Sequence, residues 1–346
     1  MQERANPVLV KSYRAEVVES FHRGVICLVD ERGEVVYSQG DITQLAYPRS
    51  AMKFFQQLPL IIRKGVEEFG LNGEEIAVLC GSHNGEAQHV ELVKGILEKG
   101  GFSESDLLCG SQQPTLGKDK TKLILEGKKA GPLTNNCSGK HAGFLLLSKL
   151  MGVSHENYIH PSHPIQQEIA KYLSLFYEVP IEEMPIGVDG CSAPIMAFTV
   201  KQQAIAYKNL VAPSAFEKPV QQACEQIVQA VLAHPFMIAG TGRYCTELMQ
   251  KANGQFIGKT GADGVFCMGH IAQKLGLAIK IDDGKMGPQY TVAQAFVEAN
   301  QWIAPQDAAM LHHYVKAEQK NFAGNQTGPL MASEALSFQY FTIKNQ

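Results

Sequence analysis

The spacing of apolar residues changes twice along this chain of 346 residues, and no other feature constrains its fold as tightly. Near the N-terminus two apolar runs, residues 15–21 and 24–30, precede Val35-Val36-Tyr37 and the intervening turn Asp30-Glu31-Arg32-Gly33-Glu34. Short apolar runs bounded by turn residues predict antiparallel strands. From about 66 to 250 the apolar period is helical, as over 87–99, 139–151, 165–176 and 220–233, with Gly/Pro-rich loops between. Strand-like runs return at 255–259, 264–269 and 277–281, and an amphipathic helix follows over 292–302. Strands from both ends of a chain pair most economically into one antiparallel sheet flanked by helices. The expected class is α+β, one unit over 1–346 with two lobes. A sheet lobe takes about 8–60 and 250–310, and a helical lobe about 61–249. The cleft between lobes is the expected place for a site.

Charge and cysteine usage narrow the function. Lys+Arg 31 against Asp+Glu 34 leaves a net charge of −3, so no basic field exists to hold a nucleic acid. The cysteines lie far apart, several in apolar runs, which suits reduced, buried thiols of a cytoplasmic protein better than a disulfide framework. The N-terminus shows no secretory h-region, and no apolar run approaches the roughly 18–20 residues that span a bilayer. A soluble, cytoplasmic protein without membrane or nucleic-acid partners is expected.

Three short motifs carry chemistry. Ser50-Ala51-Met52-Lys53 follows Pro48 at the start of an expected helix, which Pro59 interrupts or restarts. On a helix, i and i+3 share a face, so Lys53 reaches the Ser50 hydroxyl. A lysine activates serine only if burial or a second cation lowers its pKa. Taken alone, a helix-capping Ser50 and a surface Lys53 are the simpler reading. Lys259-Thr260-Gly261 alters that balance, because it closes a strand late in the chain, and Ser82-His83-Asn84 falls between the two. Ser-x-x-Lys, Ser-x-Asn and Lys-Thr-Gly in this order form the motif set of serine β-lactamases and penicillin-binding proteins. Ser50 would attack a carbonyl, backbone N–H groups would hold the oxyanion, and Ser82 with Lys259 would relay a proton.

A second group is Asn135-Asn136-Cys137-Ser138-Gly139-Lys140-His141 with Val188-Asp189-Gly190-Cys191. Cys137, Cys191, His141 and Asp189 form a credible zinc set from two loops, although the spacing is that of no zinc finger or ribbon; buried structural thiols are the plainer alternative. Gly240-Thr241-Gly242-Arg243 lacks the context of a nucleotide loop and reads as a turn. If it lines the cleft, Arg243 offers a fork for a substrate carboxylate, as does Arg49 beside Ser50. The five lysines at Lys118, Lys120, Lys122, Lys128 and Lys129 read as a solvated loop.

Taken together, Pro48–Lys53, Cys80-Gly81-Ser82-His83-Asn84-Gly85-Glu86, the segment from Asn136 to Phe144, Asp189-Gly190-Cys191 and Lys259-Thr260-Gly261-Ala262-Asp263-Gly264 resemble the asparaginase II family, the rhizobial-type or class 3 L-asparaginases. The resemblance extends over roughly 8–310. It implies a fold like the serine β-lactamases and glutaminases, hydrolysis of L-asparagine, and a homodimer. It further implies two Ser–Lys pairs, Ser50 with Lys53 and Ser82 with Lys259, and zinc (Zn2+) on Cys137, Lys140 and Cys191 with Asp189 close by. Pattern alone favours His141 over Lys140 as a ligand; following the family places His141 beside the substrate, with Arg49 and Asp189. The alternatives are a glutaminase, which ammonia release from both amides separates, a β-lactam hydrolase, which nitrocefin separates, and a zinc-binding scaffold without turnover.

Overall fold

A computed structural model describes residues 5–334 and Leu336. Its strands are β1 (Val8–Arg14), β2 (Val17–Val29), β3 (Val35–Gln39), β4 (Leu45–Ala46), β5 (Ile186–Val188) and β6 (Pro194–Met196). The chain continues with β7 (Phe198–Thr199), β8 (Phe256–Gly261), β9 (Val265–His270), β10 (Leu275–Ile281), β11 (Lys316–Lys320) and β12 (Gln326–Ala332). One sheet takes the order β11-β12-β1-β2-β10-β9-β8, with β3 also paired to β2. Every pairing in it is antiparallel. The expected α+β arrangement, a sheet built from both chain ends and flanked by helices, is therefore observed. Two-residue and three-residue ladders, β4 with β7 and β5 with β6, lie apart from it.

The two apolar runs expected as separate strands are halves of one, β2, whose 13 residues serve three neighbours. Its first half pairs with β1, and its second half, from Gly24, with β10 on one side and β3 on the other. The reversal falls earlier, at Ala15, whose φ of 50° makes the tight turn. Burial explains the choice: Val25–Val29 are wholly buried, and His22 and Arg23 carry the pairing with β1 across the gap between the runs, with a register shift between Val8 and Val10 opposite them. β8 and β9 are buried at every residue. Since successive side chains alternate between faces, both faces of these strands are covered. The helices Val200–Val211 and Met286–Ala299 both pack on this region.

Three other expectations change. The helix Lys53–Ile62 runs through Pro59 without a break. Nine consecutive buried residues, from Lys53 to Ile61, hold it in place; their packing outweighs the roughly 3 kcal/mol that an interior proline costs. The lysine-rich stretch forms a surface helix, Gly117–Leu125, not a loop; its lysines and leucines are good helix formers. β11 and β12 lie outside the expected strands: Lys316-Ala317-Glu318-Gln319-Lys320 holds one apolar residue, and Gly328-Pro329 inside β12 has the composition of a turn. All eight cysteines are free and buried. Among the described residues no helix is long and apolar enough to cross a membrane.

Candidate active site

Ser50 does not cap a helix. It lies inside a single 3-10 turn, Arg49–Met52, which leads into the helix Lys53–Ile62. Arg49 adopts a φ of 52°, a left-handed conformation that a non-glycine residue holds only when its surroundings fix it. Two carboxylates do so: the Arg49 Nε donates to Asp189 Oδ1 at 2.8 Å, and its Nη1 donates to Asp263 Oδ2. The edge strand β8 packs on this turn. The glycine of Lys-Thr-Gly is required there, since a Cβ on Gly261 would sit 2.2 Å from the Pro48 carbonyl oxygen.

Lys53 points inward, 1% exposed. Its Nζ donates to the Gly81 oxygen at 2.6 Å, to Ser82 Oγ at 2.8 Å and to the Asn136 oxygen at 3.2 Å. An ammonium has three donors, and these contacts occupy them all. The hydrogen bonds thus join Lys53 to Ser82, where the family resemblance pairs it with Ser50. Lys259 is equally buried but differently placed. Its Nζ has one acceptor among the described residues, the Thr260 oxygen at 3.2 Å. Burial, and next the positive charge of Lys53, push its pKa down to about 7. Its neutral amine is therefore within reach near neutral pH.

The loop carrying Ser82 is polar yet buried, and every group finds a partner of a particular kind. His83 accepts from the Gly85 N–H at Nδ1 (3.1 Å), so Nε2 carries the proton and donates to Ser138 Oγ at 3.0 Å. Ser138 opens the helix Ser138–Leu150, next to Cys137. That helix lies close because residue 139 is glycine: a Cβ there would be 2.2 Å from the Val78 oxygen. Beyond His83, Asn84 accepts from Arg243 Nη1 at 2.9 Å, and Glu86 accepts from both the N–H and the hydroxyl of Thr241 at 2.8 Å. Reading the sequence missed the roles of His83, Asn84 and Glu86. The available signal was a run of polar residues between two buried apolar segments.

The thiols converge as expected. One ligand atom each from Cys137, Asp189 and Cys191 lies within 4.8 Å of the others. Lys140 Nζ donates to Cys191 Sγ at 2.9 Å, and the Cys191 thiol donates to Asp189 Oδ2 at 3.3 Å. Contact with Cys137 and then burial push the Cys191 thiol up to about 11, and the same contact holds Cys137 well below the usual thiol range. Burial opposes the Lys140 charge, but Cys191, Cys137 and Asp189 together outweigh it and raise its pKa. Two thiols and a carboxylate gathered in this way suit a soft or borderline cation such as zinc, and Lys140, whose charge the cluster stabilises, joins them as a ligand only by giving up a proton. His141 lies deeper: it is fully buried and its Nδ1 meets Tyr158 Oη at 2.8 Å.

A cleft of about 270 Å³ opens on this assembly, and its wall includes Arg49, Ser50, Gln112, Asn136, Asp189 and the two thiols. Of the residues expected to form a site, Lys53, Ser82, Lys259, Lys140 and His141 are buried. The cleft therefore presents one hydroxyl, Ser50, near the thiol cluster.

Residues 10–332 match the family model described as L-asparaginase II. No curated protein matches the chain. Among solved structures, a β-lactamase from Mycobacterium bovis is 14% identical, with 81% of this chain and 95% of that one covered at a TM-score of 0.39. A protein called Mglu, in its native form, is 13% identical over 85% of this chain and 68% of its own, at a TM-score of 0.47. A class C β-lactamase is 15% identical over 78% and 90%, at 0.41.

Proposed function

We propose that this chain, which belongs to the L-asparaginase II family, hydrolyses L-asparagine to L-aspartate and ammonia through an acyl-enzyme on Ser50. The observation that supports this best is a cleft hydroxyl, Ser50, on a turn packed against β8, the strand that carries Lys259, whose pKa burial and the charge of Lys53 push down to about 7. Ser50 Oγ attacks the side-chain amide carbon, and its proton passes to the neutral Lys259 amine. Backbone N–H groups at Ser50 and at the end of β8 take the oxyanion. The Lys259 ammonium gives that proton up through Ser82, itself held by Lys53, to the departing nitrogen, which leaves as ammonia and returns Lys259 to its neutral form. Water then attacks the ester as Lys259 takes its proton, and the same proton passes to Ser50 Oγ as the ester C–O bond breaks and aspartate departs.

The buried cluster fits a zinc ion, which Cys137, Lys140 and Cys191 would hold with Asp189 beside them. Bound there, zinc supplies fixed positive charge for orienting a substrate polar group, because protein ligands fill most of a tetrahedral shell. Cys191→Ser is expected to weaken zinc binding by about 100-fold or more, read as metal content after dialysis against a zinc buffer. Wild-type retention would remove Cys191 from the ligand set.

Asparagine and glutamine differ by one methylene, which a pocket discriminates by about 10–200-fold. The test is steady-state ammonia release from both amides. The expected result is turnover with asparagine favoured by at least about tenfold. No release from asparagine, or a preference for glutamine, would overturn this assignment.

A further inference from the structure

We propose that Arg243, and not Arg49, receives the α-carboxylate of the substrate, which restricts the enzyme to ω-amides bearing a free carboxylate; this rests on the amidohydrolase reading above. Arg49 is the obvious candidate because it lines the cleft beside Ser50. Its charge, however, is already spent. It bridges Asp189 and Asp263, so one guanidinium faces two carboxylates, and an incoming carboxylate would meet like charge on both sides.

Arg243 is in the opposite situation. It is half-buried, and its Nη1 donates to the neutral amide oxygen of Asn84 at 2.9 Å. Among the described residues it forms no ion pair. The carboxylate of Glu86 accepts instead from the N–H and hydroxyl of Thr241 and from Asn84 Nδ2 at 3.2 Å, and makes no direct ion pair with Arg243 among the described residues. Asn84 also donates to the Thr241 oxygen at 3.0 Å. The segment that carries Arg243 thus fixes the amide that aims it, which is the preorganisation a carboxylate fork needs. One of five guanidinium N–H groups is occupied by Asn84, which leaves donors for a bidentate partner.

The location agrees with the chemistry. Asn84 is two residues from Ser82, whose hydroxyl takes a hydrogen bond from Lys53. The charge of Arg243 reaches Lys259 and His83, with the effect of lowering both pKa values. The charges of Lys53 and Arg243 both act on Lys259, and neither forms an ion pair with a carboxylate among the described residues. Buried or half-buried positive charge of this kind is relieved by an anionic ligand.

The test compares L-asparagine with L-asparaginamide, in which the α-carboxylate is a neutral amide. Wild type is expected to prefer asparagine by about 100-fold in kcat/KM. Arg243→Gln should reduce that preference to a few-fold, mainly by raising KM for asparagine, while Arg243→Lys retains part of it and Arg49→Gln retains it. Preference intact in Arg243→Gln, or lost only in Arg49→Gln, would overturn the proposal. L-aspartate binding by calorimetry, which requires no turnover, separates this from the assigned activity. Should wild type release no ammonia, binding that is lost in Arg243→Gln still upholds the subsite; binding that persists, or no binding in wild type, overturns it.

Discussion

Ser50→Ala is expected to reduce ammonia release from asparagine by about 10⁴-fold or more, the scale on which removal of a hydrolase nucleophile acts. Ser82→Ala should cost about 10²-fold, the usual worth of a proton-relay group. The difference follows from placement. Ser50 lies on the cleft wall, where an amide carbon can approach its Oγ. Ser82 is 6% exposed and its oxygen already accepts from Lys53 at 2.8 Å, which stabilises the hydroxyl in place and reduces its reach toward substrate. Trapping the acyl state with a reactive amide analogue, followed by peptide mass spectrometry, reads the outcome directly. The adduct is expected on the peptide bearing Ser50. An adduct on the Ser82 peptide, with Ser50→Ala still turning over at a hundredth of wild type, would exchange the two roles.

Much of this arrangement was legible in the sequence because its parts are written locally. Lys-Thr-Gly declares a strand end, and the apolar run before it is β8. The pairing of cysteines 137 and 191 could be anticipated since each stands in a glycine-flanked polar turn. Distance along the chain hid the rest. Whether Lys53 contacts Ser50 or Ser82 depends on how the helix Lys53–Ile62 meets the loop after Leu79, and no spacing rule covers that meeting. The i,i+3 argument placed Lys53 beside Ser50 on a regular helix, yet a 3-10 turn precedes it and the side chain turns inward to three acceptors. The two arginines show the same limit. Sequence placed Arg49 beside the substrate and offered Arg243 only if its loop lined the cleft; the tertiary fold shows Asp189 and Asp263 closing on the first and an uncharged Asn84 on the second.

The pH dependence of the reaction isolates Lys259. Its pKa is pushed down to about 7, first by burial and then by the charge of Lys53. Below that value the amine is protonated and accepts nothing from Ser50; above it the neutral form predominates. Wild-type kcat/KM for asparagine is therefore expected to rise about tenfold per pH unit in acid and to level above pH 7. Histidines do not produce this limb. Burial drives His141 down to about 4 and His83 well below the ordinary imidazole value, so both are already neutral across it. Lys259→Met keeps the length of the side chain and removes the amine. It should lower kcat/KM by about 10³-fold and flatten the limb near 7. Lys53→Met makes an opposite statement about position: loss of that neighbouring charge favours protonation of Lys259, so the remaining activity should rise at higher pH than in wild type. A Lys259→Met profile that kept its midpoint near 7 would transfer the titration to another group and sink the assignment of Lys259 as base.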